Sequence, residues 1–89
     1  MAERLDFDGR VVLITGGGQG SGAELVRETL ERGGIPIVVE YNREREADIR
    51  AAIGHQGALH LADVRDAEAM QRIVDDTAQR FGRLDVVIA

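Results

Sequence analysis

The chain has 89 residues, 44% apolar and 30% charged, with 11 Lys and Arg against 16 Asp and Glu and a formal net charge of -5. That length fits one small globular domain at most, and an acidic balance without a basic cluster lacks the electrostatic footprint of a nucleic-acid binder. No apolar run approaches the roughly 20 residues of a membrane helix; the stretch 1–8 is charged and has no signal-like apolar segment, and with no Cys there are no disulfides or thiolate ligands, so the expected compartment is the cytoplasm.

From the N-terminus, the run 10–15 is Val-, Leu- and Ile-rich without polar alternation, as a strand covered on both faces should be. A glycine-rich turn follows, and a helix is expected over 21–32, where Ala23, Val26, Thr29 and Leu30 share a face and Arg32, Gly33 and Gly34 supply a basic last turn and a glycine stop. Residues 35–40 predict a second strand, in which Pro36 is awkward: inside a sheet it is tolerable only at a strand's first position or opposite an unpaired neighbour. A second helix is expected over 44–53, with Ile49 and Ile53 one turn apart on a highly charged surface, and a third strand over 58–61. The third helix carries the clearest periodicity, Met70, Ile73, Val74, Thr77, Ala78 and Phe81, with Asp66 as its cap and Gly82 directly after it. The run 84–89 predicts a fourth strand.

Strands alternating with helices specify an α/β fold with a parallel sheet. Right-handed crossovers put the first two helices on one face if the strand order is 3-2-1, and a fourth strand beside the first reverses the winding and sends the third helix to the other face. The expectation is a partial doubly wound sheet of four strands, order 3-2-1-4, with three helices and a ligand crevice at the carboxyl ends of strands 1 and 4. Strand 4 would then be an edge carrying Val86, Val87 and Ile88, a sticky apolar margin.

The turn Thr15, Gly16, Gly17, Gly18, Gln19, Gly20, Ser21, Gly22 lies where strand 1 passes into the first helix. A helix N-terminus offers unpaired N–H groups and partial positive charge, and glycine lets the backbone approach a diphosphate, although a flexible turn without a ligand would read the same way. No Lys follows the glycines, which disfavours a nucleoside-triphosphate loop. Glu40, ending strand 2, stands near the spacing of about 20 residues at which a dinucleotide site places its ribose-binding carboxylate; a solvated strand-end charge is the plainer alternative. Asp63 ends strand 3 at the same sheet margin. His55 and His60 lie before and within strand 3, away from the crevice.

These residues resemble the short-chain dehydrogenase/reductase family. TGGGQGSG at 15–22 is similar to the family's Thr-Gly-x-x-x-Gly-x-Gly loop, with Ser21 where Ile or Ala is more usual; Glu40 falls at its ribose-binding acidic position, Asp63-Val64 resembles the pair that meets the adenine, and FGRLDVVIA at 81–89 resembles the approach to strand 4. The resemblance covers essentially the whole chain. It implies a Rossmann-type fold and an NAD(P)-dependent oxidoreductase that moves a hydride between nicotinamide and a small-molecule alcohol or carbonyl substrate, homo-oligomeric when complete. The cofactor residues it implies, together with those read from the turn and strand ends, are Gly16, Gly18, Gln19, Gly20, Ser21, Gly22, Glu40, Tyr41, Arg43, Asp63 and Val64. A carboxylate at Glu40 would repel the 2′-phosphate of NADP by up to about 4 kcal/mol at 4 Å and an effective dielectric near 20. NAD is therefore expected, with NADP kept open by Arg43.

The family's Asn-Ala-Gly stretch after strand 4 and its Asn, Ser and Tyr-x-x-x-Lys are not found in the 89 residues: Tyr41 is the only Tyr and there is no Lys. No catalytic residue is assigned, and the chain is expected to be the N-terminal part of a longer enzyme, inactive by itself. A non-catalytic dinucleotide-binding module, or a half-domain that pairs with another chain, is the alternative.

Overall fold

A computed structural model describes residues 8–16 and 20–88. The chain runs β1 (Val11–Thr15), α1 (Gly20–Glu31), β2 (Ile35–Glu40), a 3₁₀ turn (Arg43–Arg45), α2 (Glu46–Ile53), β3 (Ala58–Leu61), α3 (Ala67–Phe81) and β4 (Val86–Ile88). The four strands form one parallel sheet in the order β3-β2-β1-β4, the topology expected from the alternation of strands and helices.

Strand β1 explains the absence of polar alternation. Val12 and Ile14 pack with Val26, Val38, Ile49, Ile53 and Leu59 under α1 and α2, while Val11 and Leu13 pack with Ile37, Val39, Ala58 and Ile73 under α3. Both faces are apolar because both are covered, so successive residues are buried irrespective of which way they point. Residues of this size contribute roughly 1.5–3 kcal/mol each on full burial. The uncovered margin is β4, where Val87 is 61% exposed. No helix among the described residues is long and apolar enough to cross a membrane.

The helix ends follow local chemistry. After α1, Gly34 N–H donates to Thr29 C=O (2.8 Å) and Gly33 N–H to Leu30 C=O (3.1 Å), with Gly33 at φ +83°. These two bonds and the left-handed glycine close the helix and send the chain back into β2. Thr29 is buried on the helix with its hydroxyl donating to Leu25 C=O at 2.7 Å. The Asp66 carboxylate accepts from Ala69 N–H at 3.1 Å at the start of α3, and Gly82 ends it at φ +78°. An N-cap of that kind is worth about 1 kcal/mol.

Two local findings refine the sequence reading. Pro36 is the second residue of an internal strand, yet it costs no ladder bond. Ile35 N–H donates to Arg10 C=O and Gly16 N–H to Val39 C=O, so the odd residues of β2 bond toward β1; Ala62 N–H donates to Glu40 C=O, so the even ones bond toward β3. Pro36 therefore lacks its donor on the β3 side, and β3 begins one step later, with Ala58 opposite Ile37. The second helix starts later than Glu44: residues 43–45 form a 3₁₀ turn capped by Asn42, whose Oδ1 accepts from Glu44 N–H at 2.9 Å, and the α-helix proper begins at Glu46. Asn bonding the backbone two residues on draws the entry into the tighter turn.

Candidate functional site

A cleft of about 480 Å³ opens at the carboxyl ends of the strands, lined by Thr15, Gly16, Ser21, Gly22, Leu25, Glu40, Asn42, Arg45 and Ile88. Its size is within the range of about 300–1,000 Å³ common for small-molecule sites. Strand β1 delivers Thr15 and Gly16, the first turn of α1 delivers Ser21 and Gly22, and the ends of β2 and β4 supply Glu40 and Ile88. The cleft is thus at the point where the winding reverses between β1 and β4.

Gly16 and Gly20 have φ +68° and +58°, and a Cβ on either would meet no heavy atom of the described residues within 4 Å. Their left-handed backbone disfavours any side chain, and none of the described residues fills the space beside them. Gly16 N–H is used within the sheet, donating to Val39 C=O at 2.8 Å. The first N–H groups of α1 have no intrahelical partner by the geometry of any helix start, which suits an anionic oxygen. Gly18 and Gln19, also expected at this turn, lie outside the described residues.

Glu40 is only 8% exposed, and its Oε2 accepts from Asn42 N–H at 3.0 Å. Asn42 in turn caps the 3₁₀ turn, and Arg45 N–H donates back to Asn42 C=O at 3.0 Å. The carboxylate is held at the end of β2 by the backbone of the turn that follows it, so its position on the cleft is set by main-chain geometry as well as by its own rotamer.

The remaining expected residues lie outside this cleft's lining. Tyr41 is 71% exposed and Arg43 is exposed on the 3₁₀ turn. Asp63 and Val64 follow β3 on the adjoining margin, Val64 50% exposed. Arg65 wraps the Asp63 carboxylate, with Nη2 to Oδ2 at 2.8 Å, Nε to Oδ1 at 3.0 Å, and the Arg65 backbone N–H also donating to Oδ1 at 2.9 Å. The side-chain bonds from Arg65, with its backbone N–H second, hold the Asp63 carboxyl down to about 2. The Arg65 guanidinium is held above its ordinary range, first by Asp63 and more weakly by Tyr41. Asp63 and Arg65 thus form a charged pair on that margin.

Asn42, Arg45, Leu25 and Ile88 were not anticipated as cleft residues. Arg45 comes to the cleft through the 3₁₀ turn, in which residues three apart eclipse, so the turn begun at Asn42 puts Arg45 beneath it and turns Arg43 outward. Asp85 is another residue whose part the sequence hid. Its carboxylate accepts from Val11 N–H at 2.8 Å while its own N–H donates to Val11 C=O at 3.0 Å, stapling β4 to β1. Arg83, then the Val11 N–H, lowers the Asp85 pKa. Among the described residues no group of three His, Asp or Glu could hold a metal ion.

A sequence model of the family described as short chain dehydrogenase matches residues 10–89. Versicolorin reductase 1 of Aspergillus parasiticus is 37% identical over 92 residues, covering 98% of this chain and 35% of that protein. L-fucose dehydrogenase of Bos taurus is 34% identical over 88 residues, covering 99% of this chain and 32% of that protein. Among solved structures, 3-ketoacyl-(acyl-carrier-protein) reductase from Brucella melitensis complexed with NADH superposes with a TM-score of 0.84 at 23% identity, over 92% of this chain and 34% of that one. An NAD+-bound xylitol dehydrogenase superposes with a TM-score of 0.83 at 28% identity, over 91% of this chain and 32% of that one. The chain spans about a third of the length of the curated relatives it matches.

Proposed function

The chain belongs to the short-chain dehydrogenase family, and on that premise we propose that it is the N-terminal, cofactor-binding part of a single dinucleotide-binding domain in an NAD(P)-dependent oxidoreductase acting on an alcohol or carbonyl substrate. The observation that carries this reading is the convergence of left-handed Gly16 after β1, Ser21 and Gly22 in the first turn of α1, and the Glu40 carboxylate on one open cleft at the winding reversal. The fit is chemical. A dinucleotide presents a diphosphate, which suits helix-end N–H groups, and a ribose diol, which suits a carboxylate acceptor.

In this reading Gly16, Gly20, Ser21 and Gly22 let the diphosphate approach the start of α1, with Gly18 and Gln19 completing the turn. Glu40 accepts hydrogen bonds from the adenosine ribose. Asp63 and Val64, with Tyr41 and Arg43 at the same margin, flank the adenine end. When bound, the nicotinamide supplies the hydride acceptor or donor. No residue of the 89 is assigned a catalytic role; these residues bind and orient.

NAD is the preferred cofactor because Glu40 carries charge where NADP carries its extra phosphate. Hydrogen bonds to a charged acceptor are worth about 1.5–3 kcal/mol, so Glu40→Ala is expected to weaken NAD+ binding roughly tenfold or more. NADP+ should weaken less or gain, which narrows the preference. Dissociation constants for both dinucleotides by calorimetry read this directly. An unchanged ratio would move the ribose contact off Glu40, and no binding of either dinucleotide to the unaltered protein would remove the proposal.

A further inference from the structure

Glu40 is a buried carboxylate on the cleft, and the chain just after it is a turn in which no residue from 42 to 45 is buried. The turn has little packing to hold its shape and depends on hydrogen bonds. A 3₁₀ turn also has poorer hydrogen-bond geometry than an α-helix. Asn42 closes this one from both its side chain and its main chain: Oδ1 accepts from Glu44 N–H at 2.9 Å, and the C=O accepts from Arg45 N–H at 3.0 Å, with the residue at φ −84° and ψ 109°. Those bonds set the Asn42 backbone, whose N–H donates to Glu40 Oε2 at 3.0 Å. The Asn42 side chain thus acts on the carboxylate two residues before it, through the main chain between them.

We propose that Asn42 is a positioning residue: its side chain caps the turn, the capped turn fixes the Asn42 N–H on the Glu40 carboxylate, and the strength with which the cleft holds a ribose hydroxyl is set by that cap. The proposal rests on the reading of this cleft as a dinucleotide site. A glutamate side chain ordered only on binding subtracts from affinity, and one already ordered does not. A carboxylate has about four acceptor positions, so the bond from Asn42 orients Glu40 without saturating it. Without the cap the turn frays, the Asn42 N–H leaves its place, and part of the binding free energy is spent on ordering Glu40.

The test is calorimetric titration of the protein, unaltered and as Asn42→Ala and Asn42→Ser, with NAD+ and with its analogue lacking the adenosine 2′-hydroxyl. The unaltered protein should hold NAD+ roughly tenfold or more above the analogue, the difference being one hydrogen bond to a charged acceptor. Asn42→Ala should weaken NAD+ about fivefold, the size of a lost cap, and weaken the analogue less, so that the ratio between the two shrinks. Asn42→Ser keeps an oxygen able to cap the turn and should restore most of that ratio. Asn42→Gly, a milder loss at a cap, should give the same pattern at a smaller size. An equal loss for both ligands would make Asn42 a support for the turn alone and overturn the proposal. So would a loss that Asn42→Ser does not recover, since the amide would then be touching the ligand itself. If the unaltered protein binds the two ligands equally, or binds neither, the reading of Glu40 as the ribose acceptor fails and this inference with it. If it discriminates between them and Asn42→Ala keeps the full ratio, the cleft reading stands and this inference alone falls.

Discussion

At the carboxyl ends of the strands, a Cβ added to Gly16 or Gly20 would meet no heavy atom of the described residues within 4 Å; at the amino ends, one added to Gly57 would run into the Pro36 carbonyl oxygen, and one added to Gly33 would lie 2.6 Å from Asp8 Oδ1. The same residue type does opposite work at the two ends. Beside the cleft, Gly16 and Gly20 leave space that no described residue fills, and their positive φ favours glycine. At the amino ends, glycine lets two segments of main chain pass in contact. Substitutions at one end should therefore be felt in binding, and at the other in stability.

The largest effect should come from Gly57→Ala. The clashing atom is a backbone oxygen of β2, inside the sheet, and cannot swing aside as a side-chain tip could. Overpacking of this kind costs typically about 1–3 kcal/mol, and a domain of this size loses about 4–8 °C in Tm for each kcal/mol. Gly57→Ala should lower the thermal midpoint by roughly 5–20 °C, read by circular dichroism. A midpoint within 2 °C or so of the unaltered protein would mean that β3 shifts away from Pro36 at little cost, and the contrast between the two ends would lose its sharper half.

Gly20→Val probes the other end. With φ at +58° and no described residue within 4 Å of the added Cβ, the substitution strains one residue at an exposed helix start. A left-handed conformation costs a side-chain-bearing residue about 1–2 kcal/mol, so the sheet should stay folded. Dinucleotide binding should fall below detection in calorimetry, because the branched side chain occupies the space beside the start of α1. Retained binding in a folded protein would detach the glycine turn from the diphosphate and break the comparison at its functional end.

The sequence disclosed the architecture more fully than the site, and the reasons are physical. Strand β1 is unmistakable because a strand covered on both faces needs a continuous apolar run, here Val11 to Ile14, and α3 because its apolar stripe, Asp66 cap and Gly82 stop agree. Both signals are local. Pro36 looked like a conflict because its pairing partner is set by where β3 begins, which no residue near Pro36 records. Glu40 was legible as the charge ending a buried strand. Arg45 was not, because its arrival at the cleft depends on a 3₁₀ turn in place of the first turn of α2; an α-helical register from Glu44 gives Arg45 no reason to align with Asn42. Asp85 likewise reads as an ordinary turn charge until Val11 is seen across the seam.

The smallest expected effect lies at the flank, midway between the two ends, and it separates the pH responses of stability and site. His60 sits on β3 with its Nε2 buried and no hydrogen-bond partner among the described residues, 3.9 Å from Asp76 on α3. Arg80, which pairs with Asp76 at 3.6 Å, and Arg72 on the same groove are the other charges facing it. Burial pushes the His60 pKa below its ordinary 6.5, with Asp76 opposing the shift and Arg80 adding to it. The folded state then binds fewer protons than the unfolded chain below pH 6.5, so stability present above that pH is lost as the pH falls through the folded value. Asp63 titrates in another window: its carboxyl falls from 3.8 to about 2 on folding, so its small, solvent-screened contribution holds above 3.8 and fades toward 2. Between about pH 7 and 5, the urea midpoint should therefore drop for the unaltered protein and drop less for His60→Gln, while NAD+ affinity of the two proteins stays equal across that range. Parallel midpoints would place the acid response outside His60, and a difference in NAD+ affinity would show that the flank and the cleft are coupled through β3 and β2 and do not act as separate regions.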